Sequence, residues 1–394
     1  MFRVPPRDAE LESRWLRTDD FRQFHALWWT PRGRRPKTAV VVMHPRVDFT
    51  HHYCVPRLVE AGYGVLAANS RSPNDDTALV HEDLLLDVAA AIRWLRERRG
   101  IERVVLFGNS GGGSLFSFYQ AQATREPKAR IAETPAGDPT KLAGTTMIPA
   151  DALALVAAHR GQGRVLLGAI DPAVVDEADP LQSDAALDMY DPANGFREPP
   201  AWSEYDASFV ERYRQAQEAR VRRIDAWAHA ELERRRSAPK ASPESIHDPV
   251  RVVYRTMANL AYVAQHVDPS PRDYGSLLSE RPDLMRFTHI GFARTVTAAG
   301  WLSTWSGLES NACLDRTLPD VKVSVLVAHA GRDREIFPSD VAAIRASVTA
   351  DDATFLDFPE ARHYFEPDFG KKDAPAVEAL MGAVVPWIQE RLGG

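Results

Sequence analysis

Arg103-Val104-Val105-Leu106-Phe107-Gly108-Asn109-Ser110-Gly111-Gly112 joins an apolar run to a turn built of small residues. The run predicts a buried strand over 103–107, and a helix pattern opens directly after Gly112. A serine with glycine two places before it and two after fits a tight strand-to-helix turn. Crowding at such a turn excludes side chains at the glycine positions and leaves the hydroxyl projecting. The first amides of the helix would face any negative charge developing beside that hydroxyl. The plain alternative is a glycine-rich turn whose serine only caps a helix. A hydroxyl is a weak nucleophile until a base takes its proton, so a nucleophilic Ser110 requires a base and an acid elsewhere in the chain.

Outward from this turn, strand and helix patterns alternate. Strands are predicted over 21–29, 38–43 and 64–68, with helices over 55–61 and 83–99. The stretch Thr38-Ala39-Val40-Val41-Val42-Met43 is apolar without alternation, as in a strand covered on both faces of a parallel sheet. The alternation returns late in the chain, with strands at 321–329 and 354–358 and helices at 339–347 and 374–392. Repeated strand–helix–strand units imply an α/β fold, a mostly parallel sheet with helices on both faces.

The middle reads differently. A helix over 150–158 and a last core strand over 164–170 lead into a region, 171–315, that is helical, interrupted by prolines and without good strands. It is expected to be a helical cap inserted into a core made of residues 1–170 and 316–394. A long charged helix at 203–236 carries a stripe of Tyr213, Ala216, Ile224, Trp227 and Leu232, a candidate seam for a homodimer. Twelve aromatic residues between Trp202 and Trp305 suit either a cap core or the roof over a bulky apolar or aromatic substrate. Recurrent Asp-Pro pairs, Asp171-Pro172 among them, read as turn and helix-boundary signals.

Composition narrows the function class. With 394 residues, 44% of them hydrophobic, the chain can bury a large core, and a net charge of −6 offers no general attraction to nucleic acid or an anionic membrane. No apolar stretch reaches the ~20 residues of a membrane span, and the start lacks the apolar core of a secretory signal. Cys54 and Cys313 alone make neither a disulfide framework nor a zinc site. A cytoplasmic protein acting on a small molecule is expected. Consecutive His51 and His52 lack the accompanying acidic or cysteine ligands of a metal site, so no metal is assigned.

With the Gly-x-Ser-x-Gly turn in its strand–helix setting, the core resembles the α/β-hydrolase superfamily, over about residues 20–170 and 316–394. The resemblance implies a chain order of nucleophile, acid, histidine, with the last two after late strands. In Gly331-Arg332-Asp333-Arg334-Glu335-Ile336-Phe337-Pro338 it points to Asp333 as the acid, with Glu335 as the other carboxylate of that loop. In Pro359-Glu360-Ala361-Arg362-His363-Tyr364 it points to His363 as the base. The superfamily commonly has His-Gly after its third strand, followed by a residue whose amide stabilises the oxyanion. Here the strand ends in His44-Pro45-Arg46, and proline has no N–H, so the amide of Arg46, or of Val47, is the expected partner to that of Gly111. His44, His51 and Tyr364 are candidate substrate-binding residues; Arg46, His51, His52 and Tyr53 together could recognise an anionic or polar substrate group, with Arg46 the natural carboxylate partner, or be structural or surface residues.

The resemblance implies acyl transfer to water, without a cofactor, from an ester or thioester. An amide, a lactone or a carbon–carbon bond beside a ketone would suit the same triad, as would transfer to another acceptor. A non-catalytic ligand-binding relative is the remaining class.

Overall fold

The computed structural model of the chain describes residues 5–368, 371 and 373–393. The reading of the N-terminus as leaderless falls partly on residues 1–4, outside the described residues. Eight strands form one sheet: β1 (Ala9–Arg17), β2 (Gln23–Pro31), β3 (Thr38–Met43), β4 (Gly64–Ala68), β5 (Arg103–Asn109), β6 (Ala152–Val156), β7 (Ser324–Ala330) and β8 (Ala353–Phe358). Their order is β1-β2-β4-β3-β5-β6-β7-β8. β1 and β2 pair antiparallel, as do β2 and β4, and every later pairing is parallel.

Both faces of the sheet are covered. Helices α1 (Val55–Glu60) and α6 (Pro375–Leu392) close one face around Leu58, Val384 and Ile388. Helices α2 (His81–Arg93) and α3 (Gly111–Ala123) close the other around Leu85, Leu115 and Phe116. All six residues of β3 are buried, which is why its sequence shows no alternation. β1 was not anticipated. It lies at the sheet edge, and although its sequence alternates apolar and charged residues, Leu11 is 49% and Trp15 68% exposed, so the alternation marks no buried face.

Two predicted elements exchange identity. Residues 150–158, read as a helix, contain β6, which lies buried between β5 and β7. Alanine-rich Ala152-Leu153-Ala154-Leu155-Val156 favours a helix by propensity, but a slot covered on both sides overrides that preference. Residues 164–170, read as a strand, lie in and just after helix α4 (Gln162–Ala169), which buries Leu166 and Ala169 at helical spacing, with Ile170 buried just beyond its end. The sheet therefore pauses at Val156 rather than near residue 170, and it resumes at Ser324.

The intervening segment contains helix α5 (Ala207–Ser237), which begins at Asp206, whose side chain accepts the Phe209 amide. It also contains two short antiparallel ribbons, Val174–Asp176 with Asp179–Ser183 and Val250–Val252 with Thr295–Thr297, where no strands were expected. The predicted seam on α5 is turned inward: Tyr213, Ile224 and Leu232 pack within the segment's own clusters. Buried polar groups fasten the segment to α2. The His81 amide donates to Ser303 Oγ at 2.9 Å, Ser303 donates to Glu82, and Asn311 Nδ2 donates to Glu82 Oε1 at 3.0 Å.

Asp171, read as part of a turn signal, sits at the centre of this segment. It is fully buried and accepts from Arg255 Nε at 2.9 Å and Arg286 Nη1 at 3.3 Å. Removing one partner of a buried ion pair leaves the other charge without compensation. Asp171→Ala is therefore expected to lower stability by about 3–5 kcal/mol, read from urea unfolding. A change below 1 kcal/mol would show that the guanidinium groups find other compensation.

Candidate active site

The turn after β5 is held in a strained conformation. Ser110 has φ 55° and ψ −125°, outside the regions open to most L residues. A Cβ at Gly108 would stand 2.6 Å from Gly113 Cα, and one at Gly112 would stand 2.4 Å from the Met43 carbonyl oxygen. Those distances explain both glycines of the pattern. The turn is pinned to β6: the Ser110 amide donates to the Val156 carbonyl at 3.1 Å, and Asn109 Nδ2 donates to the same oxygen at 2.8 Å. His52 Nε2 lies 3.0 Å from Asn109 Oδ1 and closes the other side.

Three distant parts of the chain meet there. His363 Nε2 lies 2.9 Å from Ser110 Oγ, and His363 Nδ1 lies 2.7 Å from Asp333 Oδ2. The other Asp333 oxygen accepts the amides of Glu335 at 2.8 Å and Ile336 at 3.1 Å. An imidazole whose Nδ1 faces a carboxylate holds its proton there and turns a lone pair on Nε2 towards the serine. Burial works against a charged His363, but the Asp333 carboxylate beside it outweighs that and raises the imidazole above its ordinary value.

Glu335 does not meet the imidazole. Its carboxyl accepts from the Tyr262 hydroxyl at 2.8 Å, and burial drives it up to about 8 in spite of that bond. It is a neutral acid at pH 7. Of the two carboxylates in the loop, Asp333 is the one in contact with His363.

A cavity of about 570 Å³ opens over Ser110. Val47, Val165, Leu277, Leu278 and Phe292 give it apolar walls, while His44, His159, Gln162, Glu335 and Tyr364 are among its polar groups. No protein-family model matches the sequence, and no curated protein matches it. Solved structures do. DcsB, in complex with its substrate analogue, aligns over 97% of this chain and 100% of its own, with a TM-score of 0.54 at 9% identity. The α/β hydrolase GrgF from Penicillium sp. sh18 aligns over 98% and 100%, with a TM-score of 0.51 at 11% identity. Together with the sheet order and the turn, these alignments decide the architecture.

The chain has the α/β-hydrolase fold.

Within this α/β-hydrolase fold the expected site residues divide. Ser110, Asp333, His363, Gly111, His44 and Tyr364 gather at the cavity, and Tyr364 lies against Ser110. Arg46 does not take the position expected of its amide. That N–H donates to His44 Nδ1 at 3.1 Å, and the Val47 amide donates to the same nitrogen at 2.9 Å. The chain folds back after Pro45, and both candidate backbone donors are turned onto the imidazole. The Arg46 guanidinium instead pairs with Asp76 and lies over the rings of Phe292 and Trp305.

His51 is a second correction. It is exposed, beside the Thr50 hydroxyl, and it is His52 and Tyr53 that reach the cavity. Of the aromatic residues between 202 and 305, Phe292 lines the cavity, whereas Tyr213, Trp301 and Trp305 are fully buried in the intervening segment. His159 and Gln162 were missed because residues 150–170 were assigned the wrong elements. The available signal was their position just after an apolar run, since α/β sheets place their sites at the carboxyl ends of strands.

Proposed function

We propose that this chain is a serine hydrolase that cleaves a carboxylic ester or thioester of a bulky apolar or aromatic small molecule through an acyl-enzyme on Ser110. The observation that carries the reading is the His363 imidazole, lying between Ser110 Oγ at 2.9 Å and Asp333 Oδ2 at 2.7 Å. In the first half-reaction Ser110 Oγ bonds to the acyl carbon while its proton moves to His363 Nε2, which then protonates the leaving oxygen or sulfur. Asp333 holds the imidazole in its tautomer and stabilises the imidazolium. In the second half-reaction water takes the place of the hydroxyl, with the same proton path, and releases the acid. The apolar walls over Ser110 favour a large acyl or aromatic group over acetyl.

The test is labelling with a fluorophosphonate probe, followed by a series of p-nitrophenyl esters of rising acyl length. Wild type is expected to be labelled at Ser110, with kcat/KM rising by up to roughly four-fold per buried methylene until the cavity is full. Labelling elsewhere, or none, would remove the nucleophile from the reading. A preference for acetyl would remove the substrate class.

The pH profile gives an independent check. The base must be unprotonated to accept the serine proton, and His363 is raised above the ordinary 6.5 of an imidazole. Activity is therefore expected to fall with decreasing pH through a kcat/KM limb whose midpoint lies above 6.5. A limb well below that value would mean that Asp333 does not govern the titrating imidazole.

A further inference from the structure

Folding the Arg46 and Val47 amides back onto His44 leaves this site one backbone donor short. The amide of Gly111, in the first turn of α3, makes no hydrogen bond among the described residues. Hydrolysis of an acyl group needs a second donor aimed at the carbonyl oxygen as it gains charge. Three side-chain nitrogens converge beside Gly111. A Cβ built on Gly111 would lie 2.7 Å from His44 Nε2, 3.1 Å from Gln162 Nε2 and 3.1 Å from His159 Nε2.

The hydrogen bonds behind these groups fix what they present. His44 Nδ1 accepts two amides, so the neutral ring carries its proton on Nε2. His159 Nδ1 accepts the Gly161 amide at 3.1 Å, with the same result. Gln162 is 3% exposed, and its Nε2 has no partner among the described residues. Both rings are kept neutral: burial holds His44 well below the ordinary imidazole value and pushes His159 down to about 3. A buried amide donor without an acceptor carries a desolvation penalty that an incoming oxygen would relieve.

We infer that His44, His159 and Gln162 form, with the Gly111 amide, an oxyanion site built mainly from side chains, in place of the backbone pair expected after His44-Pro45. This inference rests on Ser110 being the nucleophile. As Ser110 Oγ bonds to the acyl carbon and His363 takes the proton, the carbonyl π pair moves onto oxygen, and the three N–H groups meet that charge. When the carbonyl reforms, the pair returns and the leaving group departs with the proton from His363. Glycine at position 111 leaves the niche open for the oxygen.

The experiment compares Gln162→Glu, His159→Leu and His159→Gln with wild type on one p-nitrophenyl ester, recording kcat, KM and the acid limb. Gln162→Glu keeps size and exchanges a donor for an acceptor; His159→Gln keeps an N–H near the Nε2 position. Gln162→Glu and His159→Leu are expected to lose about 10²–10³-fold in kcat, with KM within three-fold and the acid limb unmoved. His159→Gln is expected to recover at least ten-fold over His159→Leu. Gly111→Ala, which keeps the backbone amide, is expected to lose kcat as well, because its Cβ would fill the niche 2.7 Å from His44 Nε2. Losses confined to KM would reassign the donors to ground-state binding and overturn the inference, as would variants within two-fold of wild type. A wild type that shows neither turnover nor labelling at Ser110 would overturn the nucleophile and this inference together.

Discussion

Asp333→Asn is expected to lower kcat by about 10⁴-fold with little change in stability. The reason is local. One Asp333 oxygen already accepts the amides of Glu335 and Ile336, so asparagine must place its carbonyl oxygen there. Its NH2 group then faces His363 Nδ1, where a carboxylate oxygen stood at 2.7 Å. The imidazole must accept that N–H, which moves its own proton to Nε2 and points it at Ser110 Oγ. A ring in that tautomer cannot take the serine proton. Glu335→Gln provides the contrast, because a carboxyl pushed up to about 8 is already neutral at pH 7, and glutamine reproduces its size and charge. That variant is expected to stay within several-fold of wild type. The opposite ranking would transfer the orienting role to Glu335.

Ser110→Ala is expected to cost the most, about 10⁶-fold in kcat, together with all fluorophosphonate labelling. The fold should tolerate it. The Ser110 side chain makes no capping bond to α3, and alanine meets the same backbone strain at φ 55° as serine does. A melting temperature close to wild type, alongside lost activity, would separate chemistry from folding. Residual turnover far above the uncatalysed rate is expected from substrate positioning and oxyanion contacts, since those survive loss of the nucleophile. Unchanged labelling in Ser110→Ala would mean another serine is the reactive one.

The parts of the fold legible in the sequence were those where one physical demand acts alone. β3 and β5 are buried on both faces, so their apolar runs needed no further context. The Ser110 turn declared itself because sterics at Gly108 and Gly112 admit almost nothing else. Asp333 and His363 were locatable only through chain order and strand ends. The failures came where two demands conflict. At 152–156, alanine and leucine favour a helix while the slot between β5 and β7 requires a strand. At Arg46, Pro45 was recognised as lacking an N–H, but the folding back of the next two amides onto His44 depends on where that ring sits. Asp171 does sit at a turn, its Oδ1 accepting the Ala173 amide at 3.0 Å, but its ion pairs could not be read because Arg255 and Arg286 are 84 and 115 positions away.

The fastening of the intervening segment to α2 limits how molecules enter and leave. Swinging the whole segment aside would strip Glu82 of Ser303 and Asn311, and leave the His81 amide without an acceptor. Each buried group left unpaired costs roughly 1–3 kcal/mol, so such a motion is dear on the timescale of turnover. Leu278 stands at the cavity wall and is also 40% exposed, in the short turn closed by the Ser276 amide donating to the Ser279 carbonyl. A leucine that both lines the cavity and meets solvent makes an apolar threshold there, one that a greasy molecule crosses more readily than a charged one.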